Sequence, residues 1–216
     1  MSQADISKNK HINAALHLDG DPAKVQAFYE DWAETYKTDT SSIEYQGPQI
    51  AADLLAEVRG SNAEKNRHCA VLDAGCGSGF VGEALRKQGY ESIDGFDLSI
   101  EMAKLASATG CYRRVKDNVD MMKADHIYSA ESYDVVTSIG VFTLGHVPPE
   151  ALTILLKLVT KGGLMIISTR THYYDQTHFQ TLVDDLVDSN RLKLIKLIKD
   201  APYNIDGDAH YWLFQK

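Results

Sequence analysis

Apolar positions recur at helical spacing over 22–38, where Val25, Phe28, Tyr29, Trp32 and Tyr36 share one face, with Asp21 placed to cap the helix and Pro22 to begin it. A second helix is predicted after Gly47-Pro48, ending at Gly60, and the polar run 61–67 reads as a loop. From Ala70 the pattern changes. The short apolar runs AVLDA (70–74), SIDGFD (92–97), RRVK (113–116), YDVVTSI (133–139) and LMIIST (164–169) have the length of strands, and the periodic stretches 79–88, 99–109, 149–160 and 176–189 predict helices. Gly89, Gly110 and Gly162-Gly163 stand where left-handed helix ends are expected. Strand and helix alternating in this way predict a parallel sheet with helices on both faces.

The tail departs from that rhythm. LKLIKLIKD (192–200) and AHYWLFQ (209–215) both read as strands, separated by PYNIDGD (202–208), which is turn chemistry with no room for a helix. Strands joined that closely are antiparallel. The expected architecture is therefore α/β: seven strands, mostly parallel, closed by a C-terminal antiparallel hairpin.

Composition narrows the class. With 216 residues the chain is expected to be one domain, burying roughly 70 % of its unfolded surface. Residues 1–20 are expected to be flexible, and 21–60 to form a helical cover. Apolar residues make up 44 % and charged residues 24 %, ordinary values for a globular protein, and no apolar run approaches the ~18 residues of a membrane span. The first residues lack the apolar stretch of a signal peptide, so a cytoplasmic location is expected. Cys69, Cys76 and Cys111 lack metal-ligand spacing and are expected to be free thiols. A net charge of −8 opposes nucleic-acid binding, and neither nucleic acid nor membrane is expected as a partner. The oligomeric state stays open.

The densest chemical signal is VLDAGCGSGF (71–80), directly after the first predicted strand. Two cofactor readings compete. Gly77 to Gly82 fits the G-x-G-x-x-G pattern of dinucleotide binding, whereas Asp73, Gly75, Cys76, Gly77 and Gly79 fit the acidic glycine-rich loop of S-adenosylmethionine enzymes. Asp97 ends the second strand, near the roughly 20-residue offset at which a carboxylate meets ribose hydroxyls. Leu98 and Met102 are then placed to flank an adenine ring, and Asn118 and Val119 after the third strand to meet its edge. Asp73 weighs against a dinucleotide, because a carboxylate suits the ammonium of a methionine moiety and would repel a pyrophosphate. The terminal hairpin points the same way.

With these segments together the chain resembles the class I methyltransferases, with their Rossmann-like sheet, and more closely the methyltransferase-like proteins of the Williams-Beuren syndrome critical region. FYEDWAETY, VLDAGCGSGFVG, GFDLS and YDVVTSIGVFTLGHVPPEALTILLKLVTKGGLMIISTR carry the likeness. The resemblance implies S-adenosylmethionine as cofactor and S-adenosylhomocysteine as product. It also implies that Trp32 and Tyr36 close over the cofactor, and that the backbone at Ile139, after Ser138, receives its amino group.

After strand four the chain has Ser138-Ile139-Gly140-Val141 in place of the Asp/Asn-Pro-Pro-aromatic motif of amino-group methylases, which argues against nucleic-acid N-methylation. His146 follows that strand, and Arg170, Thr171, His172 and Tyr173 follow strand five, where an acceptor would approach. His146 is the candidate base and Arg170 the candidate anion-binding group. No metal is expected, since His172 and His178 lack zinc spacing. The reading is methyl transfer to a small molecule, with a protein acceptor, or cofactor binding without turnover, as alternatives.

Overall fold

Strands β1 (Val71–Ala74) and β2 (Ile93–Phe96) are buried at every position, as strands covered on both faces must be. In the computed structural model, which describes residues 10–15, 17–60, 63–204 and 207–216, they stand beside each other in a seven-stranded sheet of order β3-β2-β1-β4-β5-β7-β6. The other strands are β3 (Arg114–Lys116), β4 (Tyr133–Phe142), β5 (Val159–Arg170), β6 (Lys193–Asn204) and β7 (Gly207–Gln215). β1 to β5 run parallel, and β7 inserts antiparallel between β5 and β6. The order reverses between β1 and β4, the place where open α/β sheets bind ligands.

The helices among the described residues, in chain order, are α1 (Lys10–Ala15), α2 (Pro22–Ser42), α3 (Gly47–Arg59), α4 (Ala63–Arg67), α5 (Phe80–Lys87), α6 (Ile100–Ala108), α7 (Ala151–Leu158), α8 (Thr171–Gln176) and α9 (Phe179–Asp188). Alternation along the strands builds two apolar layers. Leu72 and Trp212 face one layer with Leu155 of α7 and Phe179 of α9, while Val71 and Leu213 face the other with Leu55 of α3 and Leu85 of α5. Burying each such side chain contributes about 1.5–3 kcal/mol. The short strand β3 carries little apolar pattern and is fastened by charge: Arg113 donates to both oxygens of Asp94 at 2.9 and 2.7 Å, and Arg114 donates to the second at 2.9 Å.

Several boundaries differ from the sequence pattern. The helix expected over 149–160 stops at Leu158, because Val159 already pairs with Tyr133 and starts β5. Gly162 therefore ends no helix. It lies in β5 and its N–H meets the carbonyl of Lys216, while the N–H of Lys216 returns to Gly163. The helix expected over 176–189 is α9 and starts only at Phe179, after Thr177 takes an extended conformation, while 171–176 form the additional short helix α8. Part of the expected loop 61–67 is the short helix α4.

Asp21 caps α2 by accepting the N–H of Ala23 at 2.9 Å, with Pro22 at the first position as expected. Of the stretch expected to be flexible, residues 1–9 and 16 lie outside the described residues. α1 forms just after them, and the His11 ring stacks 5.7 Å from Trp32 of α2. The N–H of Gly20 donates to the carbonyl of Gly145 in the loop after β4. Gly145 has φ +74, and a Cβ there would stand 1.8 Å from the carbonyl oxygen of Leu18. Backbone cannot yield as a flexible side chain would, and the left-handed conformation adds its own cost for alanine. Gly145→Ala is therefore expected to release the segment leading into α2: amide exchange over 18–42 should rise about tenfold or more, with the β1 and β4 amides unchanged. Equal exchange over 18–42 in the two proteins would show that this contact does not hold α2 in place.

Candidate functional site

The loop after β1 turns on three left-handed glycines, Gly75, Gly77 and Gly79. The N–H groups of Gly75 and Cys76 both donate to the carbonyl of Phe96 at 2.9 Å, tying the loop to the end of β2. The glycines serve different ends. A Cβ on Gly77 would meet nothing within 4 Å, so its backbone lies open to a ligand. A Cβ on Gly79 would meet Thr109 and Ala106 of α6 and its C-terminal end, and one on Gly82 would stand 2.4 Å from the Tyr112 ring. The G-x-G-x-x-G spacing thus ends in a packing contact. Gly79 does not line the cavity beside the loop.

Asp73 also differs from expectation. It is fully buried beneath the loop, accepting the Tyr112 hydroxyl at 2.6 Å and the Thr137 hydroxyl at 3.0 Å, and it does not reach the cavity. Tyr112 in turn accepts the N–H of Gly82 at 3.0 Å. Burial pushes the Asp73 carboxyl up to about 6, against the two hydroxyl donors that favour its charged form. Its role is to hold the loop, through a tyrosine that the sequence pattern did not single out.

A cavity of about 310 Å³ opens at the sheet's switch point, within the size range of small-ligand sites. Gly75, Cys76 and Gly77 form its floor; Asp97, Leu98 and Met102 form one wall; Val119 and Ile139 close it. Asp97 accepts the N–H of Gly77 at 2.8 Å on one oxygen and that of Ser99 at 2.9 Å on the other. Burial pushes its carboxyl up to about 6. Ser99 itself caps α6, accepting the N–H of Met102 at 3.2 Å. Asn118 is absent from this wall: it is exposed, in a left-handed turn at φ 51. The acidic residue at this position is Asp120, two residues on, whose side chain caps the short 3-10 turn Met121–His126. An acidic ending to strand three was thus present in the sequence, displaced by a tight turn.

A second cavity of about 570 Å³ adjoins the first, and Tyr29, Tyr36, Tyr45, Gly140 and His146 line both. Tyr36, which the resemblance puts over the cofactor, lines both cavities. Trp32 lines only the second cavity, and its indole N–H donates to Asp39 at 2.7 Å. Tyr29 escaped notice as a site residue, although it lies one helical turn from Trp32 on the same face of α2.

His146 is held from both sides. Its Nδ1 lies 3.0 Å from the carbonyl of Leu144, which can only accept, so Nδ1 carries the proton and Nε2 accepts the Tyr29 hydroxyl at 2.8 Å. Burial lowers the imidazole's pKa, keeping it neutral. Arg170 and His172 line the second cavity; Tyr173 does not, being buried with its hydroxyl on the carbonyl of Val147, while Thr171 donates to the carbonyl of Asp208.

The family profile described as a methyltransferase domain matches residues 43–216. The chain belongs to that family. It is 32 % identical over 159 residues to human methyltransferase-like protein 27, an alignment covering 73 % of this chain and 62 % of that protein. It is 31 % identical over 179 residues to a ubiquinone biosynthesis O-methyltransferase of Hydrogenovibrio crunogenus, covering 81 % and 68 %. The chain thus spans about two thirds of the length of these relatives. In fold it is similar to a TehB-like SAM-dependent methyltransferase from Corynebacterium glutamicum, with TM-score 0.62, 22 % identity and coverage of 88 % and 98 %. It is likewise similar to magnesium protoporphyrin IX methyltransferase from Synechocystis, with TM-score 0.61, 16 % identity and coverage of 91 % and 97 %.

The cofactor that a class I methyltransferase domain implies is S-adenosylmethionine, and the first cavity fits it. Each Asp97 oxygen spends one acceptor position on backbone and keeps another for a ribose hydroxyl. Gly77 leaves its side of the floor without a Cβ, and Leu98 and Met102 supply an apolar wall for a purine. Among the described residues no helix is long and apolar enough to cross a membrane.

Proposed function

We propose that the chain methylates a small molecule, with S-adenosylmethionine in the first cavity, the acceptor in the second, and His146 taking the acceptor's proton through Tyr29. The observation that carries this reading is the shared wall: Tyr29, Tyr36, Tyr45, Gly140 and His146 border both cavities, so two ligands would meet there. Bound S-adenosylmethionine supplies a methyl group already made electrophilic by its sulfonium. What remains for the protein is alignment, exclusion of water and, for a hydroxyl acceptor, removal of a proton.

The named residues divide these tasks. Asp97 holds the ribose, Gly77 and Ile139 offer backbone to the amino-acid end, and Tyr36 and Tyr45 keep water from the junction. Tyr29 donates to Nε2 of His146, leaving its oxygen free to accept a hydroxyl proton as its own proton moves to the imidazole. Burial holds the Tyr29 hydroxyl well above its ordinary pKa, so the two transfers are concerted, without a free phenolate. A concave acceptor site and a relative named for O-methylation in ubiquinone biosynthesis support a small hydroxylated acceptor.

Calorimetry tests the cofactor half. S-adenosylhomocysteine should bind and NAD should not; preferential NAD binding would end this reading. Asp97→Asn should weaken S-adenosylhomocysteine about tenfold or more, the scale of a charge-assisted hydrogen bond. Because accepting two hydroxyls requires the ionised carboxylate, wild-type affinity should also fall as pH drops through about 6, and the fall should be absent in Asp97→Asn. The stability effect runs the other way. A carboxyl raised from 3.8 to about 6 takes up its proton more readily when folded, so its contribution is full below the unfolded value and is lost as pH rises through about 6.

A further inference from the structure

The second cavity is lined by five Tyr and Trp rings together with aliphatic and polar side chains, and by Arg170. Arg170, the last residue of β5, lays its guanidinium 4.3 Å from the centre of the Tyr203 ring. Tyr203 is itself fixed, its ring 4.8 Å from that of Tyr45 and its carbonyl accepting the N–H of Gln46 at 2.9 Å. A guanidinium held over a ring by cation–π attraction keeps its five N–H donors for other partners. Among the described residues these donors have no carboxylate within ion-pairing distance and no hydrogen-bond partner, although Arg170 is only partly exposed. A planar fork held over a ring, with no hydrogen-bond or ion-pair partner among the described residues, matches a planar oxyanion.

We infer that the acceptor is a carboxylic acid with an apolar or aromatic body, its carboxylate seated on the Arg170 fork and its body among Trp32, Tyr36, Ile43 and Tyr203. This rests on the proposed function's assignment of the second cavity to the acceptor. Arg170 lines that cavity and not the shared wall, whereas methyl transfer must occur at the wall beside Tyr29 and Gly140. The carboxylate is therefore a handle, and the methylated group lies elsewhere on the same molecule. A chain of net charge −8 repels anions at long range, so a fixed local cation is what such a substrate requires. One negative charge also suits that field better than the two of a phosphate monoester.

The test is titration of the full chain, with and without saturating S-adenosylhomocysteine, using 4-hydroxybenzoate and 3-(4-hydroxyphenyl)propionate, their neutral amides, and phenyl phosphate. Each acid should bind about tenfold or more tightly than its amide. In Arg170→Gln that ratio should fall to about one while S-adenosylhomocysteine affinity stays within about twofold. Arg170→Lys, which keeps the charge and loses the fork, should retain only part of the ratio. Melting curves check that both variants are folded. The inference is overturned if acid and amide bind alike, if neither binds the wild type, if phenyl phosphate binds more tightly than the acids, or if the ratio survives in folded Arg170→Gln. Loss of S-adenosylhomocysteine binding with the acid preference intact would overturn the cofactor reading and leave the anion site standing.

Discussion

Replacing His146 with alanine is expected to slow methyl transfer about a hundredfold, with S-adenosylhomocysteine affinity changed by no more than about twofold. The expectation follows from how the ring is held. Nδ1–H donates to the Leu144 carbonyl, so the basic nitrogen is Nε2, at the junction of the two cavities and accepting from the Tyr29 hydroxyl. Burial lowers the imidazole's pKa, so the neutral base persists below the ordinary value of 6.5 and the acid limb of kcat should lie lower than that. Tyr29→Phe removes the relay and should lower kcat by a similar factor, again without weakening the cofactor. The measurement is transfer of a labelled methyl group into the metabolite fraction of a cell extract at saturating S-adenosylmethionine. Near-normal turnover in His146→Ala would remove the base and leave catalysis to alignment alone.

The second large effect concerns stability. Asp73→Ala should destabilise the domain by about 2–5 kcal/mol, because it strands two buried hydroxyls, on Tyr112 and Thr137, and leaves a small void beneath the glycine loop. Asp73→Asn keeps one carbonyl acceptor and should cost less than half as much. Gly82→Ala acts on the same network from above: the added methyl meets the Tyr112 ring, which cannot swing aside without leaving Asp73, for a cost of about 1–3 kcal/mol. Urea midpoints at constant m-value measure all three. Cofactor binding separates a structural carboxylate from a ligand-touching one. Folded Asp73→Asn should bind S-adenosylmethionine as the wild type does, and a tenfold loss there would return Asp73 to the cofactor's ammonium.

The sequence by itself determined what depends on local pattern. The strand and helix order, the antiparallel hairpin, the Asp21 cap and the placing of Asp97 behind the second strand all follow from periodicity and turn chemistry within a few residues. Gly77 and Gly82 could be read as one motif, but only packing separated them: one opens on the cavity, while the other makes room for the Tyr112 ring from the loop before β3, 30 positions away. The same holds for Asp73, which reads as a ligand-binding residue from its place before the glycines, and is shut under the loop by two hydroxyls from elsewhere in the chain. Asn118 and Asp120 are separated by a left-handed turn, which decides which of them lines the cavity. Trp32 and Tyr36 lie one helical turn apart on α2, and the packing of α2 puts only Tyr36 on both cavities. Tyr29 reaches His146 across 117 residues, and Arg170 reaches Tyr203 only because β6 and β7 fold back beside β5. Local sequence encodes which way a side chain points from its own element. Which polar group it then meets is set by how the elements pack, since that packing alone decides which donors and acceptors lose water and must find each other.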